Sequence, residues 1–199
     1  GGVQVRGDAI DPLAPELSIM SLNVRGYANH VLADLDHAGP PGGPRKVLVQ
    51  RLGAHTNIAH AVQQEVAGGR VVAMLFLQET WLQVDEDPLQ LAGYEWFGHS
   101  RTVKKRGGRF SGGLGVWVLD SIASLVRSRY GVGNYGGSEG VQWITYERKG
   151  IKRAFFNLYR DSLYFRELHG YDEGAFWSGI NDDILDYRSK GYAVIGVGD

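Results

Sequence analysis

Short apolar runs separated by glycine, proline and charged residues predict a chain that is rich in β-strands. The segment Glu16 to Val24 carries spaced apolar side chains and predicts a first strand. Val71 to Leu77 is a continuous apolar run of strand length, typical of a strand that is buried on both faces. The remaining predicted strands are Tyr94 to Phe97, Leu114 to Leu119, Ser124 to Arg129, Val141 to Tyr146, Lys152 to Tyr159 and Tyr192 to Val197.

Two other segments place their apolar residues at helical spacing. The first runs from Arg45 to Val66, and Gly53 leaves open whether it forms one helix or two. A pair of glycines follows it at positions 68 and 69 and ends it. The second helix runs from about Glu173 to Arg188 and stops at Gly191. Helices placed between strands in this way predict an α/β protein.

The order helix, glycine, apolar strand, acidic residue occurs twice, and the two copies end at Glu79 and Asp199. If both strands lie centrally in packed sheets, both carboxylates emerge at C-terminal strand ends, which is where α/β folds bind ligands. Two carboxylates converging there would suit a hard divalent cation, because such ions take oxygen ligands.

The composition excludes several classes of function. The 199 residues are 43% apolar and 22% charged, which is ordinary for a soluble domain. The absence of cysteine excludes disulfides, thiolate zinc sites and a cysteine nucleophile. With a net charge of −1, any binding of nucleic acid must come from a local basic patch. The longest apolar run is too short to cross a bilayer, so we expect no membrane partner.

Six short segments, taken in chain order, resemble the motifs of the endonuclease/exonuclease/phosphatase superfamily, the deoxyribonuclease I-like enzymes. Their order and spacing carry the resemblance, which covers nearly the whole chain. The glycine-rich basic loop before the third segment resembles most the endonuclease domains of non-LTR retrotransposons. The segments are Ser21 to Gly26 (SLNVRG), Leu77 to Leu82 (LQETWL), Ser111 to Val118 (SGGLGVWV), Glu139 to Ile144 (EGVQWI), Phe156 to Tyr159 (FNLY) and Ile195 to Asp199 (IGVGD).

The resemblance implies an α/β fold of a particular kind, the four-layer α/β/β/α sandwich of deoxyribonuclease I. In this interpretation residues 17–199 are the N-terminal major part of the domain, incomplete at the C-terminus, and residues 1–16 are a flexible N-terminal segment. The superfamily carries an Asp-His pair late in the domain that these 199 residues do not contain. We therefore expect the fragment to be poorly active.

The activity that the resemblance implies is hydrolysis of phosphodiesters with Mg²⁺ as cofactor and Mn²⁺ as an alternative ion. Among such enzymes we expect an endonuclease that acts on DNA, of the retroelement type. The chain would be a monomer or part of a larger multidomain polyprotein. It would lie in the nucleus if it comes from a retroelement and in the cytoplasm otherwise.

The resemblance also assigns roles to individual residues. Glu79 would be a Mg²⁺ ligand, and Asn23 would lie beside it and hold metal or phosphate. Tyr159 would hydrogen-bond the scissile phosphate or the attacking water, and Asn157 would brace that part of the site. Asp199 would orient or activate the nucleophilic water. These residue types suit phosphoryl transfer, which needs charge neutralisation and a positioned water.

Five basic residues in the glycine-rich loop are candidates for contacts with the nucleic-acid backbone. An ordinary solvated loop is the alternative, because runs of charge are usually exposed faces. The five residues are Arg101, Lys104, Lys105, Arg106 and Arg109.

Structural explanations exist for the other candidates as well. Glu79 alone could be a capping or ion-paired carboxylate, Asn23 a turn former at a strand end, and Tyr159 a packed sheet aromatic. At the level of the whole chain, two alternatives to an endonuclease stay open. One is a phosphomonoesterase or lipid phosphodiesterase of the same superfamily, and the other is a non-catalytic remnant that binds nucleic acid.

Overall fold

A computed structural model describes residues 18–24, 44–82, 88–99, 112–130, 141–159, 170 and 172–198. Within these ranges the chain forms eight strands and three helices, close to the predicted positions. In chain order they are β1 Ser18–Asn23, α1 Pro44–Ala67, β2 Val72–Gln78, β3 Tyr94–His99, β4 Leu114–Leu119, α2 Asp120–Ala123, β5 Val126–Tyr130, β6 Val141–Arg148, β7 Ile151–Leu158, α3 Glu173–Ser189 and β8 Ala193–Gly198. The predicted N-terminal segment 1–16 lies outside the described residues.

The strands form two four-stranded sheets. The first sheet has the order β1-β2-β4-β3, with β1 parallel to β2 and the other neighbours antiparallel. The second has the order β5-β6-β7-β8, with β7 parallel to β8 and the other neighbours antiparallel. Each parallel pair is joined by a helix, α1 in the first sheet and α3 in the second, as parallel strands require a long crossover.

The ends of the helices follow the local sequence. The carboxylate of Asp172 accepts a hydrogen bond of 3.0 Å from the backbone N–H of Ala175 and caps α3. Gly191, at φ 82°, follows α3 in the left-handed conformation that glycine adopts without strain. The alternative of two helices around Gly53 is wrong, because α1 is one continuous helix. None of the helices in the described ranges has the length and hydropathy needed to cross a membrane.

Three hydrophobic clusters hold the described elements together. Alternate residues of β2 serve two of them: Leu75 packs in the cluster that contains Ile58 of α1, while Phe76 packs against Phe155 of the second sheet. The third cluster lies between the second sheet and α3, where Phe176 is completely buried. The first cluster thus joins α1 to the first sheet, the second joins residues of both sheets, and the third joins α3 to the second sheet.

The two strands that follow a helix and a glycine differ in burial. All seven residues of β2 are buried, because β2 has β1 and β4 on its two sides and its two faces pack in the clusters that contain α1 and the second sheet. In the described part of the chain β8 has a neighbour only in β7, and its residues are half-buried or exposed. The condition of a central position is therefore met by β2, whereas β8 has one neighbouring strand in the part of the sheet that the structure describes.

A close approach between strands explains one glycine of β4. Gly115 pairs with Gly98 of β3, and the side chain of Trp96 lies over both. A Cβ atom at Gly115 would overlap the Trp96 ring. The same ring is 5.0 Å from that of Trp117, measured between centroids. Glycine at position 115 thus leaves the room in which the two tryptophans pack.

Candidate active site

The parallel pairing of β1 and β2 brings two predicted site residues together. Asn23 ends β1 and pairs with Gln78, the last residue of β2, and the N–H of Val24 donates to the Gln78 carbonyl at 3.0 Å. Glu79 follows Gln78 directly. The side-chain amide of Asn23 donates to the Oε1 atom of Glu79 at 2.9 Å. Asn23 and Glu79 therefore form one polar pair at the C-terminal edge of the first sheet.

The backbone at Glu79 leaves the strand in a strained conformation. Glu79 and Trp81 both have φ of 55°, in the left-handed region that residues other than glycine rarely adopt. The N–H groups of Thr80 and Trp81 donate to the carbonyls of Gly113 and Gly112, at 3.2 and 2.9 Å. These two bonds hold the segment in place. Backbone strain of this kind, when it is held by neighbouring contacts, is typical of functional sites.

The two residues after Glu79 each carry a buried polar atom. The hydroxyl of Thr80 and the indole N–H of Trp81 are buried, and neither has a hydrogen-bond partner among the residues that the structure describes. Most buried polar groups in proteins are paired, so two exceptions next to a residue with a strained backbone invite a functional explanation. A hydroxyl and an N–H group are suited to contact the oxygen atoms of a water or a phosphate.

Asn157 lies between the two sheets and bonds to both. It is completely buried in β7, and its Oδ1 atom accepts a bond of 2.7 Å from the side-chain amide of Gln78. Its own amide donates to the carbonyls of Leu77 and Gly115 in the first sheet, at 3.2 and 3.3 Å. The amide of Gln78 also donates to the hydroxyl of Ser21 on β1 at 3.0 Å. Asn157 thus connects the second sheet to β2 next to Glu79.

Gln142 on β6 continues this connection. Its Oε1 atom accepts from the amide of Asn157 at 3.3 Å. Its amide donates to the carbonyl of Phe97 on β3 at 2.8 Å and to the hydroxyl of Ser128 on β5 at 3.2 Å. The three buried side chains Gln78, Gln142 and Asn157 are called the amide network below. The side chains and carbonyls that it joins belong to all strands except β8.

Sequence reasoning named Asn157 but gave no role to Gln78 or Gln142. Each lies beside or within a buried apolar strand segment, and each is essentially inaccessible to solvent. A glutamine in such a segment must find hydrogen-bond partners. The sequence shows that these glutamines need partners. It does not show which residues the partners are, because Gln78 and Asn157 are 79 residues apart in the chain.

The remaining predicted site residues are placed only in part. Tyr159 directly follows β7 and is half-buried. Leu158, its neighbour, pairs with Gly198 at the end of β8, so both strands finish at the same edge of the second sheet. Asp199 lies outside the described residues, and so do the five basic residues of the predicted nucleic-acid contact, Arg101, Lys104, Lys105, Arg106 and Arg109.

The donor atoms at this edge fit Mg²⁺ or Mn²⁺. Among the described residues no three histidine, aspartate or glutamate side chains form a cluster that could hold a metal. Mg²⁺ does not need one, since it is commonly bound by one or two carboxylates together with waters and substrate phosphates. Glu79 supplies a carboxylate of this kind. The amide nitrogen of Asn23 is engaged by Glu79, so Asn23 could contact a metal only through its Oδ1 atom.

Comparison with known proteins gives a likeness in structure but none in sequence. No protein-family model matches the chain, and no curated protein matches it. Among solved structures, TDP2 from Caenorhabditis elegans matches with a TM-score of 0.50 and 19% identity, over 92% of this chain and 47% of TDP2. A 3′-5′ exonuclease, NExo from Neisseria meningitidis, matches with a TM-score of 0.45 and 17% identity, over 72% of this chain and 53% of NExo.

A further match is a 3′ phosphatase NExo from Neisseria bound to a product DNA hairpin, with a TM-score of 0.47, 17% identity and coverage of 70% of this chain and 51% of that one. This chain spans about half the length of the structures it matches. TDP2 and NExo are members of the endonuclease/exonuclease/phosphatase superfamily, with deoxyribonuclease I-like folds. The likeness to TDP2 confirms the predicted fold at the level of a mixed α/β protein with two sheets.

Proposed function

We propose that this chain belongs to a Mg²⁺-dependent phosphodiesterase of the endonuclease/exonuclease/phosphatase superfamily, an endonuclease that acts on DNA and is of the retroelement type. The observation that carries the proposal is the Asn23–Glu79 pair at the adjacent ends of β1 and β2, with Glu79 in a strained backbone conformation. The six motifs in the sequence and the fold likeness to TDP2 support it. In this proposal the two sheets and their helices form the four layers α/β/β/α.

Glu79 would hold the metal, and the amide of Asn23 would orient its carboxylate through the 2.9 Å hydrogen bond. The bound ion would neutralise charge on the non-bridging oxygens of the phosphate. Tyr159 would donate a hydrogen bond to a phosphate oxygen, and Asp199 would accept one from the attacking water and so orient it. The loop from Arg101 to Arg109 would contact the DNA backbone with its basic side chains.

The proposal is tested first by metal binding. Titration of the chain with Mn²⁺, followed by the electron paramagnetic resonance signal of free Mn²⁺, should reveal a site that Glu79→Gln weakens by roughly 100-fold or more, since loss of a mere outer-shell partner typically costs 10- to 100-fold. The matched control is Glu95→Gln, which removes an exposed carboxylate from β3 of the same sheet. Equal affinity in Glu79→Gln and the unmodified chain would reject Glu79 as a ligand.

The substrate class is tested by incubating the chain with plasmid DNA, abasic DNA and inositol phosphates in the presence of Mg²⁺. The proposal expects weak cleavage of DNA, in line with the low activity expected of these 199 residues, that exceeds the background of Glu79→Gln and that a chelator abolishes. Release of phosphate from inositol phosphates alone would favour a phosphomonoesterase or lipid enzyme. Binding of DNA that falls steeply with salt, with no metal-dependent cleavage, would favour a non-catalytic protein that binds nucleic acid.

A further inference from the structure

We infer that Gln78 and Gln142 are positioning residues of the candidate site. Through the amide network they would fix the Asn23–Glu79 pair of the first sheet relative to β7 of the second, which leads directly into Tyr159. The inference rests on the proposed function and deepens it, because it names residues that neither contact the substrate nor hold the metal but set the distance between the two halves of the site.

Gln78 lies next to both members of the Asn23–Glu79 pair. Its backbone pairs with Asn23 and immediately precedes Glu79, so its position controls where both members of the pair lie. Its side-chain amide bonds across the sheets to Asn157 at 2.7 Å and along the first sheet to Ser21 at 3.0 Å. A shift of β2 against β7 would therefore have to break a short, buried hydrogen bond.

The amide network differs in polarity from the rest of the interface between the sheets. Apart from this network, the buried residues there are mainly apolar, among them Met74, Phe76 and Phe155. Apolar burial is non-directional and therefore specifies a register between the sheets only through packing. Hydrogen bonds between buried amides require defined distances and angles, because an unpaired amide in this environment is costly.

Gln142, at the end of the amide network away from Glu79, uses both its oxygen and its nitrogen in hydrogen bonds. Gln142 accepts from Asn157 and donates to the carbonyl of Phe97 and to Ser128. These contacts fix the orientation of the Gln142 amide. Because Gln142 accepts from the nitrogen of the Asn157 amide, it helps to hold the oxygen of that amide toward Gln78. The effect of Gln142 on Glu79 would pass through two hydrogen bonds between side chains, first to Asn157 and then to Gln78.

The test compares Gln78→Met and Gln142→Met, which remove an amide and keep most of the side-chain volume. Tyr94→Phe is the matched control: it removes the bond of 2.7 Å from a buried phenol to the Val72 carbonyl, at the opposite end of β2. Three quantities are measured for each variant. They are the NMR shift of the Asn23 side-chain amide without metal, the affinity for Mn²⁺, and the urea midpoint of unfolding.

We expect Gln78→Met to lower the Mn²⁺ affinity roughly 10- to 100-fold, as outer-shell partners do. Gln142→Met should lower it roughly 2- to 30-fold and should still shift the Asn23 amide signal, although it lies in the other sheet. Tyr94→Phe should lower the urea midpoint and leave both site measurements unchanged. If Gln142→Met does not fold, Ser128→Ala removes only one partner of Gln142 and should give a smaller change in the same direction.

The inference fails if Gln142→Met leaves the Asn23 signal and the Mn²⁺ affinity unchanged, or if Tyr94→Phe changes them as much as Gln142→Met does. Failure of the proposed function is a separate result. In that case the unmodified chain shows no Mn²⁺ site that depends on Glu79, while the metal-free NMR comparison still decides whether the network positions Asn23.

Discussion

The two sheets have the same sequence of strand directions, but the chain passes through their helix-linked parallel pair in opposite order, from edge to interior in the first sheet and from interior to edge in the second. Counted from β1 in one sheet and from β8 in the other, the neighbours are parallel, antiparallel and antiparallel. In the first sheet the strand after the helix, β2, is internal and completely buried. In the second sheet the strand after the helix, β8, is the edge of the described sheet and is partly exposed.

This difference shows that a similar local sequence can have different structural roles. Helix, glycine and apolar strand appear in both halves, but the neighbours of the strand decide how firmly its end is held. At the end of β2 the carboxylate of Glu79 accepts a hydrogen bond from Asn23, and the backbone N–H groups of the next two residues, Thr80 and Trp81, donate to Gly113 and Gly112. In the described residues, the candidate site is therefore held by the first sheet and by the amide network that crosses into the second.

The largest expected effect compares one aliphatic residue from each of these strands. Leu75→Ala in β2 removes a fully buried side chain and should lower the free energy of unfolding by about 2–5 kcal/mol. Ile195→Ala in β8 removes a half-buried side chain. It should lower the free energy of unfolding by less than about half of the loss in Leu75→Ala. Urea denaturation of both variants measures the two values. Equal losses would contradict the assignment of β8 as the more exposed strand.

A smaller effect is expected from adding a methyl group to a glycine in each sheet. Gly115→Ala should cost about 1–3 kcal/mol, because its Cβ would overlap Trp96, which packs against Trp117 inside the first sheet. Gly196→Ala would also place a Cβ too close to an aromatic ring, 2.5 Å from the nearest atom of Phe156. Gly196, however, lies on the partly exposed strand β8. We expect it to be better tolerated. Thermal unfolding measures the loss of stability in each variant. A larger loss in Gly196→Ala than in Gly115→Ala would contradict the expected difference between the two sheets.

The pH dependence should be similar in the two halves for different reasons. Burial raises the pKa of Tyr94 in the first sheet to about 12, whereas in the second half a hydrogen bond to Glu147, followed by burial, raises the pKa of Tyr192 to about 12. Because both values lie above 10.0, the value of an unperturbed phenol, the stabilisation is complete below pH 10 and is lost as the pH rises through 12.

Urea midpoints measured from pH 9 to pH 12 test this expectation. Tyr94→Phe and Tyr192→Phe should each make the alkaline loss of stability less steep, and the double variant should flatten it further. An alkaline loss that is unchanged in both single variants would show that other groups cause it.

The sequence predicted the strands and helices well because their apolar periodicity and glycine stops are local signals. The resemblance placed Asn23 beside Glu79, and the structure brings the two together because the parallel strands β1 and β2 end at the same edge of the first sheet. Nothing in the sequence indicates that β8 pairs on one side only within the described residues, because that depends on which strands are its neighbours. The left-handed backbone of Glu79 and the bonds of Gln78 and Gln142 were also missed, because they depend on contacts between segments far apart in the chain.

The most direct test of the central claim is to locate Mn²⁺ on the isotope-labelled chain by the paramagnetic broadening of its NMR signals. The account predicts that the Asn23 side-chain amide and the backbone amides around Glu79 broaden first, at the lowest Mn²⁺ concentration, and that Glu79→Gln removes this broadening while Glu95→Gln does not. Broadening that begins elsewhere, or that is the same in Glu79→Gln, would contradict a metal site at the ends of β1 and β2.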